Sequence, residues 1–321
     1  MKNKFLVLFV LSLFVFVSAV SAEGEKAKPE ISGVLYADYF YNTTEGIAPA
    51  NISYFELTRM YLGVTKPLSD KAIMKVLFEG CQPVNLLYIK NAYVEFSNAL
   101  CGMNLRTGVI GLPWIGNEEK VWKNRYISKT FTDIEGILNA ADLGVGLSGK
   151  SENNVVDYDI ALVNGEGYKA AEVSTDKDFM ARVSIEAASG TKIHLYDQIG
   201  KQTALGVDRN RMIAGVSYEK NKLSAMVYML TAKDAAVNKS GMSLFGNYAL
   251  TSKLSLLARL DSFDCDTDNP ATAWTRMITG ISANVSESVD LGIDAQMINF
   301  EDTVIQGNNQ AVIYTHLSVK Y

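Results

Sequence analysis

Charged side chains alternate with apolar side chains in many segments of this sequence. In "LSLLARLDS", Arg259 and Asp261 lie on one face of an extended chain and leucines occupy the other, because successive side chains of a strand point to opposite faces. Fixed charges of both signs along one face attract and discriminate between ions, and this is the chemistry we expect of the set. Its basic members are Arg59, Lys75, Arg106, Arg182, Arg211, Arg259 and Arg276. Its acidic members are Glu79, Glu95, Asp157, Asp159, Glu186, Asp261 and Asp294.

The sequence does not predict a catalytic centre. His194 and His316 are the only histidines, and each occupies a polar-face position with no serine placed beside it by a recognisable motif. Metal-ligand spacings, a phosphate-binding loop and a haem-attachment motif are not found. Cys81, Cys101 and Cys265 do not have the spacing of a metal site or a disulfide framework. We therefore predict no enzymatic activity, no cofactor and no metal site.

The segments that carry these charges repeat along nearly the whole chain. About sixteen segments of about ten residues show this alternation, and ten residues is the length that a tilted membrane-spanning strand needs. Short polar connections such as "KPLSDK" and "TSK" follow the even-numbered segments, whereas longer ones such as "NTTEGIAPANIS" follow most odd-numbered segments. This layout predicts an all-β fold: a transmembrane antiparallel β-barrel of about sixteen strands, with short turns in the periplasm and longer loops outside.

A soluble β-sandwich would show the same alternation and is the competing interpretation. The membrane is favoured because aromatic residues, among them Tyr39, Phe40 and Tyr321, gather near strand ends, and because an export signal precedes the strands. An even number of strands also closes the sheet without an exposed edge. A lysine or arginine facing lipid costs about 2–4 kcal/mol at the bilayer midplane, so we predict that the charged face points into the lumen.

The first residues have the pattern of an export signal. Lys2 and Lys4 precede an apolar run, and small residues follow it up to Ala22. We predict a cleaved signal peptide over residues 1–22, a short periplasmic segment over 23–30 and the barrel over 31–321, with an uncleaved anchor as the alternative. Cleavage removes two lysines and changes the formal net charge from -5 to -7 (28 minus 35). This acidic balance, without a basic patch, argues against nucleic acid as a partner.

One connection is much longer than the others. It follows the fifth segment and reads "GLPWIGNEEKVWKNRYISKTFTDIEGILNAAD". A loop of this length in a compact fold is usually functional. Its acidic candidate residues are Glu118, Glu119, Asp133 and Glu135. We expect these carboxylates to pair with wall residues such as Arg59, Arg106 or Arg211, and the two tryptophans of the loop to pack against the wall.

Sixteen strands with a long third loop resemble the bacterial porins. The region from Ile89 to Gly167, which includes "NLRTGVIGLPWIG", "ADLGVGLSGK" and "VDYDIALVNGEG", resembles the phosphate-selective (O- and P-type) porin group. The resemblance implies an outer-membrane porin, a water-filled channel for passive diffusion of small hydrophilic solutes or ions, whose third loop folds into the lumen and narrows it. It also implies outer-membrane lipid as the surroundings and a homotrimer as the assembly.

Some properties of that porin group are not expected here. Phosphate-selective members have constrictions lined by lysine and arginine, whereas the inferred lumen has one clear lysine away from the rims, so phosphate preference is not carried over. The long loop could instead lie outside as a cap, and about half of the lumen charges could neutralise one another. The alternative function is a non-conducting barrel that acts as an adhesin or structural protein, or as a sheath around a partner protein.

Overall fold

The computed structural model describes residues 28–44, 52–81, 86–202 and 206–321. The predicted signal peptide lies outside these residues, and its cleavage stays a prediction. Within the described ranges the strands are β1 (Glu30–Asn42), β2 (Ser53–Ser69), β3 (Ala72–Cys81), β4 (Leu86–Leu100), β5 (Met103–Gly111), β6 (Ala141–Lys150), β7 (Val156–Val163), β8 (Asp178–Ala188), β9 (Thr191–Gln202), β10 (Val207–Lys220), β11 (Leu223–Asp234), β12 (Val237–Ala249), β13 (Leu254–Asp264), β14 (Ala273–Ser286), β15 (Val289–Phe300) and β16 (Gln310–Lys320). The helices are α1 (Ile115–Trp122), α2 (Phe131–Ile134), α3 (Thr303–Gln306) and a 3₁₀ turn (Pro270–Thr272).

The strands form one closed barrel in which each strand pairs antiparallel with its sequence neighbours. The first and last strands close it, with a register that runs from Val34↔Lys320 to Asn42↔Val312. Closure leaves every strand with two partners, so no edge is exposed. The predicted fold class, a closed antiparallel barrel of sixteen strands, is confirmed.

Tyr321 completes the closure of the barrel. Its backbone exchanges hydrogen bonds with Gly33 (N–H to O distances of 3.0 and 3.1 Å), which extends the β1–β16 ladder by one residue. The Tyr321 ring lies over Gly33, where a Cβ atom would come within 2.0 Å of the ring. The ring covers the backbone that the glycine leaves bare, and a larger residue at position 33 would require the exposed Tyr321 ring to move aside.

Burial alternates along the strands in the sense opposite to that of a soluble sheet. In β13, Arg259 and Asp261 are buried, whereas Leu256 and Leu260 on the other face are exposed. In β11 the exposed face consists of residues such as Val227 and Met229. A closed sheet with aliphatic side chains outside and charged side chains inside is suited to a lipid bilayer. Lipid chains can contact its outer surface without burying a charged or unpaired polar group.

The two rims of the barrel differ in their connections. Even-numbered strands are followed by short turns, such as residues 70–71, 189–190 and 221–222. The connections after odd-numbered strands are longer in several places, but residues 235–236 form a tight turn between β11 and β12. The prediction that most, but not all, of the connections after odd-numbered strands are longer agrees with these bounds. Among the described residues, no helix is long and apolar enough to cross a membrane.

The longest connection, residues 112–140 between β5 and β6, contains α1 and α2. The first helix forms because Ile115, Glu118, Val121 and Trp122 recur at helical spacing and are all buried on one face. It ends at Lys123, whose backbone is left-handed (φ 63°) and whose N–H bonds to the carbonyl of Glu119 at 2.9 Å. We refer to residues 112–140 as the long connection.

Candidate channel lumen

The long connection packs its aromatic side chains against the inner face of the barrel wall. The ring centroid of Trp114 lies 5.4 Å from that of Tyr228, and the ring centroid of Trp122 lies 5.4 Å from that of Phe245. Phe131 fits over Gly241, where a Cβ atom would lie 2.8 Å from its ring. These side chains form one buried cluster with inward residues that lie mainly on β8 to β14, together with Ile110 of β5 and Ala161 and Val163 of β7. The hydrophobic contact within this half of the barrel fixes the long connection in place.

The contacts of the long connection extend over most of the height of the wall. Near the short-turn rim, Ser224 donates to the carbonyl of Val121 (3.0 Å) and the hydroxyls of Tyr126 and Ser282 are 2.7 Å apart. Near the opposite rim, Arg211 Nε donates to the carbonyl of Ile137 (3.1 Å). The long connection therefore runs down the wall and back up, rather than crossing the lumen at one level.

Glu118 anchors α1 without an ion pair at hydrogen-bond distance among the described residues. Its carboxylate accepts hydrogen bonds from Tyr228 Oη (2.5 Å), Thr132 Oγ1 (2.7 Å) and Trp114 Nε1 (3.1 Å). The residue is 0 % exposed. Burial raises the pKa of Glu118 to about 7, against the opposing effect of the hydrogen bonds from Tyr228 and Thr132. The structure differs here from the expected pairing of Glu118 with a wall arginine.

The other three acidic candidates divide into two kinds. Glu119 and Asp133 bind Arg125 of the same connection, at N–O distances of 2.6 and 3.0 Å, so they fold the connection on itself. Glu135 binds the wall residue Arg276 at 2.7 Å. Only this last pair has the expected character, and its arginine differs from the three that were expected. Glu119 and Asp133 pair with Arg125 rather than with a wall arginine because Arg125 is close to them along the chain, so that forming the pair loses less conformational entropy.

The wall arginines already have carboxylate partners on the wall. Arg211 binds Asp234 at 2.7 Å and Arg259 binds Asp261 at 2.6 Å. The remaining pairs are Arg59 with Glu79, Arg106 with Asp159, and Arg182 with Asp157. The neutralising pairs anticipated from the sequence are thus numerous in the described part of the wall.

Several of these arginines hold the long connection through its backbone. Arg182 Nε donates to the carbonyl of Pro113 (2.9 Å), and Arg259 donates to the carbonyl of Lys129 (2.5 Å). The same arrangement is seen for Arg211 and Ile137. A guanidinium has five N–H donors, so one group can bind a wall carboxylate and a carbonyl of the long connection together. The wall arginines therefore act as clamps on the main chain.

The half of the wall formed by β2 to β7 is less covered. Lys75, Tyr93, Glu95 and Arg106 lie on its inner face and are half-buried, whereas inward residues of β8 to β15 are mostly buried beneath the long connection. Solvent therefore reaches charged side chains mainly on the β2–β7 side. The side of the lumen bounded by β2 to β7 is therefore the candidate passage.

A cluster of cations near the long-loop rim contains Arg59, which was predicted to face the lumen, and Lys90 and Lys169, which were not predicted. Glu79, fully buried, is surrounded by Arg59 (2.7 Å), Lys90 (2.9 Å) and Lys169 (3.3 Å), and Tyr168 Oη donates to it at 2.9 Å. Strict alternation with its neighbours would turn Lys90 outward. A β-bulge in β4 changes this, because Leu77 pairs with Asn91 while Phe78 pairs with Ile89.

The two histidines form hydrogen-bonded networks within the wall. His194 lies between the hydroxyls of Ser184 (2.7 Å) and Ser217 (2.8 Å), which the two neighbouring strands place beside it rather than a local sequence motif. His316 lies between Asp38 (2.8 Å) and Asp294 (3.1 Å). Both imidazoles are buried, and each one bridges side chains of the two strands that flank its own, which indicates a structural role in the wall.

The sequence matches no model of a known protein family, and no curated protein matches it. Solved structures do match its fold. The anion-selective porin from Comamonas acidovorans superposes with a TM-score of 0.68 at 11 % identity, covering 92 % of this chain and 99 % of that one. The outer membrane channel DcaP of Acinetobacter baumannii gives 0.68 at 12 % identity, with 93 % and 99 % covered. Salmonella typhi OmpF gives 0.69 at 8 % identity, with 92 % and 98 % covered. The chain thus has the fold of the sixteen-stranded outer-membrane porins.

Proposed function

We propose that the protein is a porin of the bacterial outer membrane, a water-filled channel for the passive diffusion of small hydrophilic solutes or ions. The observation that carries this proposal is the contrast between the inner wall of β2 to β7, whose charged side chains are half-buried, and the inner face of β8 to β15, which is mostly buried. Fixed charges of both signs beside an aqueous path order ions by their sign. The outer-membrane structures that share the fold support the same function.

The candidate constriction lies between this wall and the long connection. We propose that Lys75 and Arg106 line it on the wall side, and that Glu119 and Asp133 line it on the other. Arg182, Arg211, Arg259 and Arg276 contribute by clamping the long connection rather than by contacting solute. Glu118 acts as a buried anchor, and Glu135 ties the connection to Arg276.

A second candidate function is a barrel that does not conduct. The specific observation in its favour is the path of the long connection, which contacts the wall near both rims and fills the half of the lumen bounded by β8 to β15. A barrel filled in this way would serve as an adhesin or structural protein, or as a sheath around a partner. The half-buried charges of β2 to β7 favour the channel over this alternative.

Assembly, export and relationship are part of the same proposal. We propose export through a cleaved signal peptide, insertion with the short turns in the periplasm, contact of the aliphatic outer face with outer-membrane lipid, and a homotrimer. The resemblance of residues 89–167 to the phosphate-selective group supports the proposal that the third loop folds into the lumen, as it does in that group. It does not extend to a preference for phosphate.

The test is single-channel recording in planar bilayers with the purified protein. A porin gives stable conductance steps that scale with salt concentration. A filled barrel leaves the bilayer insulating at the same protein density. Ion preference follows from the reversal potential in a salt gradient, which a charged passage shifts away from zero.

A further inference from the structure

The cations around Glu79 outnumber the acids. Arg59, Lys90 and Lys169 all lie within 3.3 Å of its carboxylate oxygens, so three positive charges surround one negative charge. Tyr168 donates a hydrogen bond to Oε1 of the same carboxylate at 2.9 Å. The cluster keeps a formal excess of two positive charges (three minus one).

The long connection presents further cations to the same space. Lys129 lies 3.6 Å from Asp133, which is also bound by Arg125. Burial lowers the pKa of Lys129, and Arg59, Arg125 and Lys169 lower it further, while Asp133 opposes the change. The ammonium group of Lys129 therefore lies within the field of the Glu79 cluster. Glu119 and Asp133 balance Arg125 and Lys129 but leave the excess at Glu79 uncompensated.

Two of these lysines are accessible to a solute. The side chain of Lys169 is 43 % exposed and that of Lys129 is 31 % exposed, whereas the carboxylate of Glu79 is buried beneath its partners. Tyrosine rings line the same space, with Lys90 Nζ 4.8 Å from the centroid of Tyr61 and Lys169 Nζ 5.1 Å from that of Tyr88. An anion entering here meets ammonium groups first and finds the carboxylate shielded.

On the basis of the proposed channel, we infer that the space between Arg59, Lys90, Lys169 and Lys129 is a binding site for a doubly charged anion, either a dicarboxylate or a phosphate group. Two excess charges match a double negative charge. The site is partly buried, where charge pairs interact more strongly than in bulk water. Because the lysines are flexible and partly solvated, the bound anion can also leave, as conduction requires.

Block of the chloride current tests the inference. Succinate is the probe, and succinamate, in which an amide replaces one carboxylate, is its matched control. We expect succinate to halve the chloride conductance at a concentration about ten-fold lower than succinamate, in line with the loss of one ion pair. Hydrogen phosphate at pH 8 distinguishes the two kinds of anion. If it blocks as strongly as succinate, the site recognises the double charge alone, and if it blocks more weakly, the site prefers dicarboxylates. Equal block by succinate and succinamate would overturn the inference.

The variant Lys169→Gln removes the most exposed cation without altering a strand. It should raise the half-blocking succinate concentration about ten-fold. Lys177→Gln is the control, because Lys177 lies in the same connection but pairs with Glu172 at 3.8 Å. Unchanged block in Lys169→Gln contradicts the site while leaving the channel intact. A protein without conductance steps contradicts the channel, and calorimetry of succinate binding to detergent-solubilised protein and to Lys169→Gln then decides on the site independently.

Discussion

Glu118 is held by three neutral donors, whereas most acids of the lumen contact a cation. Its pKa, raised by burial to about 7, lies above the ordinary value of 4.5. The folded protein therefore holds this proton more tightly than the unfolded chain does. It follows that the free energy of unfolding falls as the pH rises from about 4.5 to about 7 and changes little from this source above that range.

The variant Glu118→Gln removes this pH dependence. Between pH 4.5 and pH 7 the wild type should lose up to about 3 kcal/mol of stability that the variant does not lose, because the folded protein keeps this proton until the pH reaches the raised pKa of about 7. Urea unfolding in lipid vesicles at several pH values, followed by tryptophan fluorescence, measures the difference between the two proteins. Parallel stability profiles would show that Glu118 does not titrate in this window.

The partners of individual charged residues were the least predictable part of the site. The sequence indicated which arginines belong to the polar face, because alternation along a strand determines the face. It could not indicate that Arg106 meets Asp159 or that Lys90 turns inward, because these depend on register between strands and on a bulge in β4. Lys169 lies in a connection, where no periodicity applies.

At the scale of elements, the strands were predictable and the path of the long connection was not. Each strand has a two-residue period that a single segment displays on its own. The long connection gains its shape from distant contacts, such as Trp122 with Phe245 and the clamps from Arg182 and Arg259. A short helix with an ordinary amphipathic pattern does not reveal which wall it will pack against.

Deletion of residues 116–130 tests the role of the long connection as a constriction. The deletion removes most of α1 and the contacts near the short-turn rim, but no strand, so the barrel should still form. We expect larger conductance steps and weaker ion selectivity, because the half of the lumen bounded by β8 to β15 becomes open to water. Single-channel recording and reversal potentials provide both readouts.

A deletion of residues 302–308 is the matched control. That connection also lies at the long-loop rim, but Val304 is 93 % exposed and Ile305 is exposed as well, so its removal should leave the conductance unchanged. Unchanged steps after deletion of residues 116–130 would reject the constriction and leave only the barrel.

At the scale of the whole molecule, the closed barrel carries aliphatic side chains on its outer face and charged side chains on its inner face, and this arrangement favours a membrane over water. The aliphatic outer face would aggregate in water, and the charged inner face would be costly in lipid. We therefore expect the native protein to fractionate with the outer membrane and to migrate faster on gels before heating than after it. Recovery as a soluble periplasmic monomer would contradict the membrane assignment.

The homotrimer is tested by cross-linking in mild detergent. A symmetric assembly of three barrels buries part of the aliphatic wall, so short cross-linkers should yield a product of three copies. A product of one copy under conditions that preserve conductance would contradict the assembly.

The central claim is that solutes pass between the long connection and the β2–β7 wall. Cysteine accessibility tests it most directly, in a protein whose Cys81, Cys101 and Cys265 are first replaced by serine. Thr65→Cys lies on the half-buried inner face of β2, and Ser243→Cys lies on the inner face of β12, where the residue is 0 % exposed. A charged thiol reagent should reduce the current through Thr65→Cys and leave Ser243→Cys unaffected. Reaction at residue 243 without reaction at residue 65 would place the passage on the other side of the barrel and contradict the account.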